Sequence, residues 1–168
     1  MSRLSSRRIL VVEDEPHVRM LTSMVLEDAG FSIDQAADGS EALDALRARS
    51  YAAIVLDIMM PGVDGYQVLE EMQQMRNRRG TPVVVVTARH DPSGVLRELS
   101  GGAFDHLAKP YTHEDLIAAV HRAIEGDDVE ERRGALWRSA QAWDTVGVLR
   151  NAVTENDGAP APPRRRRR

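Results

Sequence analysis

Acidic side chains gather where the chain leaves short apolar runs. Glu13 and Asp14 follow Ile9–Val12, and Asp57 follows Ala53–Leu56. Thr87 holds the same place after Val83–Val86, and Lys109 follows a weaker stretch at Phe104–Ala108. Three carboxylates brought together repel, and each resists ionising beside the others unless a hard cation neutralises them. Oxygen donors with room for water suit Mg²⁺, which takes one or two carboxylates, waters and phosphate oxygens. A threonine hydroxyl adds a donor, and a lysine ammonium is a compact point charge suited to a phosphoryl oxygen. Acids, cation, hydroxyl and ammonium together describe a phosphoryl-transfer site. A carboxylate can itself be the nucleophile and become an acyl phosphate, and Asp57 is the most central. Of 22 basic residues, 21 are arginine and one is lysine, Lys109. In a chain that uses arginine for generic cations, that lysine asks for a specific reason.

These residues must be brought together by the elements they terminate. The three strong runs are short and mostly β-branched, the mark of strands buried on both faces of a parallel sheet. Weaker strands are predicted at Phe31–Ala36 and Phe104–Ala108. Helical spacing separates them. Val18, Leu21, Val25 and Ala29 predict an inward stripe stopped by Gly30. Asp38 with Glu41 and Asp64 with Gln67 resemble capping boxes, and Thr112 with Asp115 opens a last helix carrying Leu116, Ile117, Val120 and Ile124. Asp91-Pro92 fits an N-cap and first-turn proline. Five β-α units in about 120 residues imply a flavodoxin-like (βα)5 sandwich of three layers, a parallel sheet in the order 2-1-3-4-5, and a ligand site at the carboxyl ends of the strands. In that order Glu13, Asp14 and Asp57 converge across the switch between the first and third strands.

Composition narrows the class. The chain has 168 residues, a formal charge of −4 and 42% hydrophobic residues, enough for a real core. With no cysteine there is no disulfide scaffold, thiolate metal site or cysteine nucleophile. No apolar run approaches the roughly 18 residues of a membrane span, and the amino terminus lacks a signal-peptide pattern. A cytoplasmic protein with no membrane partner is expected. Residues 164–168 are five arginines, which leaves the rest of the chain acidic and unsuited to a broad nucleic-acid-binding face.

Four motifs in order and spacing give the chain a family likeness: Ile9–Glu15, Val55–Gly65, Val85–Ala88 and Gly102–Pro110. Over roughly residues 7–125 it resembles the receiver domains of two-component response regulators. The resemblance implies that Asp57 is the phosphoacceptor, taking a phosphoryl group from a sensor histidine kinase or a histidine phosphotransfer protein. It implies Mg²⁺ held by Glu13, Asp14, Asp57 and the backbone carbonyl of Met59. Thr87 takes the part of the switch hydroxyl, Lys109 that of the lysine pairing with phosphoryl oxygens, and Lys109–Pro110 that of a cis peptide. Met59 and Arg89 occupy positions that tune dephosphorylation. Two residues depart from the family pattern. Glu13 stands where many receivers have aspartate. His106, at the second switch position, stands where the family usually has tyrosine or phenylalanine, and it is smaller and chargeable. His17, His90, His113 and His121 are scattered and read as surface residues.

Beyond residue 126 the pattern changes. Residues 127–153 carry Leu136, Trp137, Ala140, Trp143, Val146 and Leu149 and predict a helical extension holding both tryptophans of the chain. That extension is expected to dock on the body or on a partner through Trp137 and Trp143. Residues 154–168 read as a disordered Pro/Arg-rich tail, either a solvated arm or an electrostatic clamp on nucleic acid, anionic lipid or an acidic partner. The expectation is a response regulator of the stand-alone type signalling through contact with a downstream protein. Alternatives are a phosphorelay intermediate and a transcriptional regulator whose tail touches DNA. No enzymatic turnover of a separate substrate is expected, only self-phosphorylation and autodephosphorylation.

Overall fold

The computed structural model describes residues 7–76, 80–88, 94 and 102–125. Within them the chain runs β1 (Arg8–Val12), α1 (Pro16–Asp28), β2 (Ser32–Ala36), α2 (Gly39–Ala48), β3 (Ala53–Asp57), α3 (Gly65–Gln74), β4 (Val83–Thr87), β5 (Asp105–Ala108) and α4 (His113–Glu125). The strands form one parallel sheet in the order β2-β1-β3-β4-β5. This is the flavodoxin-like arrangement expected from the alternation of elements. The helix expected near Asp91-Pro92, residues Arg89 and His90, and everything after Glu125 lie outside the described residues.

Alternate residues of each strand face opposite sides of the sheet, and both sides are dry. Leu10, Val12, Ile54, Leu56 and Val85 pack with Leu43, Leu46, Val68 and Leu69 from α2 and α3. Ile9, Val11, Val55, Val84 and Val86 pack with Leu26 of α1 and with Leu116 and Val120 of α4. Burial on two faces explains the uninterrupted apolar runs.

Caps fix where the helices begin. Asp64 accepts from the Gln67 amide at 2.9 Å and Gln67 Oε1 from the Asp64 amide at 3.0 Å, a complete capping box. Thr112 and Asp115 make the same exchange, at 3.1 and 3.2 Å. Asp38 accepts from the Glu41 amide at 2.8 Å, but the Glu41 carboxylate turns to the Ala37 amide at 2.7 Å, one residue short of the full box.

Helix α1 departs from its expected packing. Its buried residues are Thr22, Ser23 and Leu26, whereas Leu21 is 53% exposed and Val18, Val25 and Ala29 are only half-buried. Two hydroxyl residues thus sit under the helix where the spacing placed a purely apolar stripe. Ser23 Oγ donates to the Arg19 carbonyl at 2.8 Å, which removes the cost of burying it. His121 also departs from the surface reading. It is half-buried, with its ring centroid 5.3 Å from that of Phe31.

Candidate functional site

The sheet register sets the site. Val12 lies beside Leu56, Asp57 beside Val86, and Thr87 beside Ala108, so β1, β3, β4 and β5 end at one level. The residues just past those ends must meet. Glu13, Asp14 and Asp57 each offer an oxygen, and these oxygens lie within 4.8 Å of one another. Lys109 enters from the β5 side. Its ammonium donates to Glu13 Oε2 at 2.7 Å and to Asp57 Oδ2 at 3.2 Å. The Lys109 amide donates to the Thr87 carbonyl at 2.8 Å, tying the lysine's backbone to the end of β4. The Lys109–Pro110 peptide is cis, as the family likeness implied.

Asp57 is held at both oxygens. Oδ1 accepts from the Met59 amide at 2.9 Å while Oδ2 faces Lys109. The turn beyond it is closely packed. Gly62 has φ +74°, a left-handed conformation that costs a glycine little. A Cβ on Gly65 would come within 2.6 Å of the Asp57 carbonyl oxygen, so α3 starts directly against the backbone of the aspartate. Glu13 and Asp57 are buried, Asp14 is half-buried, and Thr87 is wholly buried.

Electrostatics follow from this geometry. Burial pushes the Glu13 carboxyl above its ordinary value, the Lys109 ammonium opposes the rise, and the neighbouring Asp57 carboxylate adds to it. Burial pulls Lys109 down, but Glu13 and Asp57 more than offset it and hold the ammonium above its usual value. One ammonium therefore faces three acids, and the pocket keeps an excess of negative charge. An all-oxygen donor set with this excess fits a hard divalent cation of the Mg²⁺ kind.

The structure thus brings together Glu13, Asp14, Asp57 and Lys109 as expected, and places Thr87 at the neighbouring strand end. Met59 contributes its amide to Asp57, while its side chain is 53% exposed. His106 is half-buried on β5, with its amide donating to Asp105 Oδ1 at 2.9 Å. One participant escaped the sequence. Arg19, on the first turn of α1, donates through one guanidinium nitrogen to the carbonyls of Glu13 at 2.7 Å and Asp14 at 3.3 Å. It holds the backbone from which both acids project. Its spacing of six residues from Glu13 was the only available signal, and among 21 arginines it did not stand out.

A parallel five-stranded sheet with an acidic trio and a lysine at its carboxyl edge defines a class. The response regulator receiver domain model matches residues 9–121, and the chain belongs to that family. Among curated relatives, the transcriptional regulatory protein TcrA of Mycobacterium tuberculosis is 42% identical over 136 residues, covering 81% of this chain and 50% of TcrA. The transcriptional regulatory protein HprR of Escherichia coli is 39% identical over 117 residues, covering 70% of this chain and 51% of HprR. The chain spans about half the length of these relatives. Among solved structures, the chemotaxis protein CheY4 of Vibrio cholerae superposes with a TM-score of 0.67 at 28% identity, over 70% of this chain and 98% of CheY4. A receiver domain of a signal transduction histidine kinase from Syntrophus aciditrophicus gives 0.68 at 31% identity, over 73% and 93%. Among the described residues no helix is long and apolar enough to cross a membrane.

Proposed function

We propose that Asp57 accepts a phosphoryl group from the phosphohistidine of a sensor histidine kinase or histidine phosphotransfer protein, and that the phosphorylated domain signals by changing its contacts with a downstream protein. An Asp57 oxygen attacks phosphorus, the P–N bond to imidazole breaks with its electron pair leaving on nitrogen, and an aspartyl phosphate forms. Lys109 releases its contacts to Glu13 and Asp57 and pairs with phosphoryl oxygens. Glu13, Asp14, Asp57 and the Met59 carbonyl are the ligands we assign to Mg²⁺, whose charge offsets that of the phosphoryl oxygens and the carboxylates. The Met59 amide, already donating to Asp57, remains as a fixed dipole beside the new acyl phosphate. Thr87 is the hydroxyl that follows the phosphoryl group, and His106 is the second switch position.

The observation that carries this reading is the ammonium of Lys109, a residue that follows the edge strand β5, bonded at once to Glu13 and Asp57 at the ends of the inner strands β1 and β3. Incubation with Mg²⁺ and a small acyl phosphate tests it. The native chain should gain the mass of one phosphoryl group and Asp57→Ala should gain none; equal gain in both would move the acceptor elsewhere.

The names of TcrA and HprR favour a second reading of the output, as transcriptional control. On that reading the arginines at 164–168 supply a salt-dependent, sequence-independent grip on DNA. DNA binding that disappears when they are deleted supports it, and no binding at low salt disposes of it.

A further inference from the structure

Helix α1 turns an apolar flank outward. Met20, Leu21 and Met24 are each more than half exposed. Beside them a groove of about 240 Å³ runs between α1 and the start of α4, lined by Val18, Leu21, Val25, Pro110, Tyr111 and Leu116. Lys109 lines it too, so the groove reaches the back of the phosphoryl-transfer site. Its volume falls below the roughly 300–1,000 Å³ of pockets built for small ligands and suits one or two large side chains.

The chain carries a matching segment of its own. Trp137, Ala140, Trp143, Val146 and Leu149 recur every third residue, and these are the only tryptophans in the sequence. The segment is within reach. Helix α4 is 13 residues long, about 20 Å at 1.5 Å per residue. Residues 126–135, extended, reach roughly 33 Å, more than enough to return along it. Charge agrees as well. Glu15, which caps α1, and Glu27 and Asp28 at its end are exposed, and Arg138 and Arg150 flank the apolar residues of the segment.

We propose that residues 136–149 fold back on the flank of α1 and seat an indole in the groove between α1 and α4. The groove then has an intramolecular occupant resting against Lys109, and the phosphoryl-transfer site and the C-terminal segment share one wall.

The cysteine-free chain allows a direct test. A bimane, a fluorophore quenched on contact with indole, is attached to Leu21→Cys in the full chain, and separately to the exposed His17→Cys at the edge of the same helix. Either label should be dim and should brighten when Trp137 and Trp143 are both replaced by phenylalanine. A bimane at Arg47→Cys, on the other side of the sheet, should not respond. In the unlabelled chain, Leu21→Glu with Met24→Glu should shift tryptophan emission to the red and open both indoles to acrylamide. Bimane brightness indifferent to the tryptophans at both positions overturns the proposal. So does quenching that grows with protein concentration, which would place the segment on another copy. None of these readings requires phosphorylation, so they stand or fall apart from the proposed function. Only a further arm rests on that function: Mg²⁺ and acyl phosphate should change bimane brightness in the native background and not in Asp57→Ala.

Discussion

Two clusters of charge sit on the same sheet and are built on opposite principles. On the edge strand β2, Asp34 is saturated: Arg8 bonds it at 2.6 Å, Arg49 at 3.2 Å and the Tyr51 hydroxyl at 2.9 Å. Two cations and a hydroxyl serve one carboxylate. Although burial works against it, the Tyr51 hydroxyl and Arg8 hold Asp34 below the usual carboxylate range. At the carboxyl edge the ratio is reversed, with three carboxylates and one ammonium. The first arrangement is complete without a ligand. The second retains charge that a cation or phosphoryl group can use. The imbalance, and not the number of acidic residues, distinguishes the carboxyl edge of the sheet.

Substitutions should separate the two clusters. The largest effect is expected at Asp57: Asp57→Asn should abolish phosphorylation by acyl phosphate while leaving the folded domain intact, read by intact mass and circular dichroism. Next comes Lys109→Met. Losing a charge aimed at the reacting group should slow phosphorylation by about 10²–10³-fold, the scale of removing one transition-state donor, while Mg²⁺ affinity, freed from the competing ammonium, should rise by calorimetry. Third, Mg²⁺ at about 100 times its Kd should stabilise the native chain by about 2.7 kcal/mol. Glu13→Gln with Asp14→Asn should erase that gain, whereas Asp34→Asn should keep it. Fourth, Asp34→Asn should cost about 1–2 kcal/mol in urea melts, a figure held low because the cluster is partly solvated, and phosphorylation should proceed at the native rate.

The smallest expected effect is a slope with pH. Burial and the Asp34 carboxylate push the Tyr51 hydroxyl up from 10.0 to about 12. The neutral phenol is favoured in the folded state, so its contribution is whole below pH 10 and is lost as pH rises towards 12. Stability should fall across that window, and Tyr51→Phe should flatten the fall. An unchanged slope would place the loss on other groups.

The two clusters were also unequally legible. Glu13, Asp14, Asp57, Thr87 and Lys109 could be read from the sequence because each follows an apolar run, and parallel topology dictates that such positions meet. The Asp34 cluster could not: Arg8, Asp34, Arg49 and Tyr51 come from β1, β2, the cap of α2 and the connection to β3, and no motif joins them. Helix α1 was legible as a helix, but its buried face was not, for a related reason. Hydropathy counts Thr22 and Ser23 as outward, yet Ser23 satisfies its hydroxyl on the helix's own backbone and can go inside. Leu21, displaced from the core, became part of an exterior flank. Arg19 was invisible because its work is done on main-chain carbonyls, which every residue carries and no residue type announces. The order of the sheet was legible throughout, since the general preference for right-handed crossovers leaves five parallel strands few alternatives.

The solitary lysine has a practical side. Lys109 is the sole ε-amine in the sequence, and its side chain is 24% exposed. Reagents that target primary amines, whether dyes, fixatives or activated resins, can meet only the amino terminus and this nitrogen. Protein coupled through amines for surface measurements would risk arriving with its ammonium consumed, whereas attachment through a cysteine introduced at a chosen surface position leaves it intact. Conversely, protection of that single amine from acylation by a mild reagent counts, one molecule at a time, how many pockets have their charges paired.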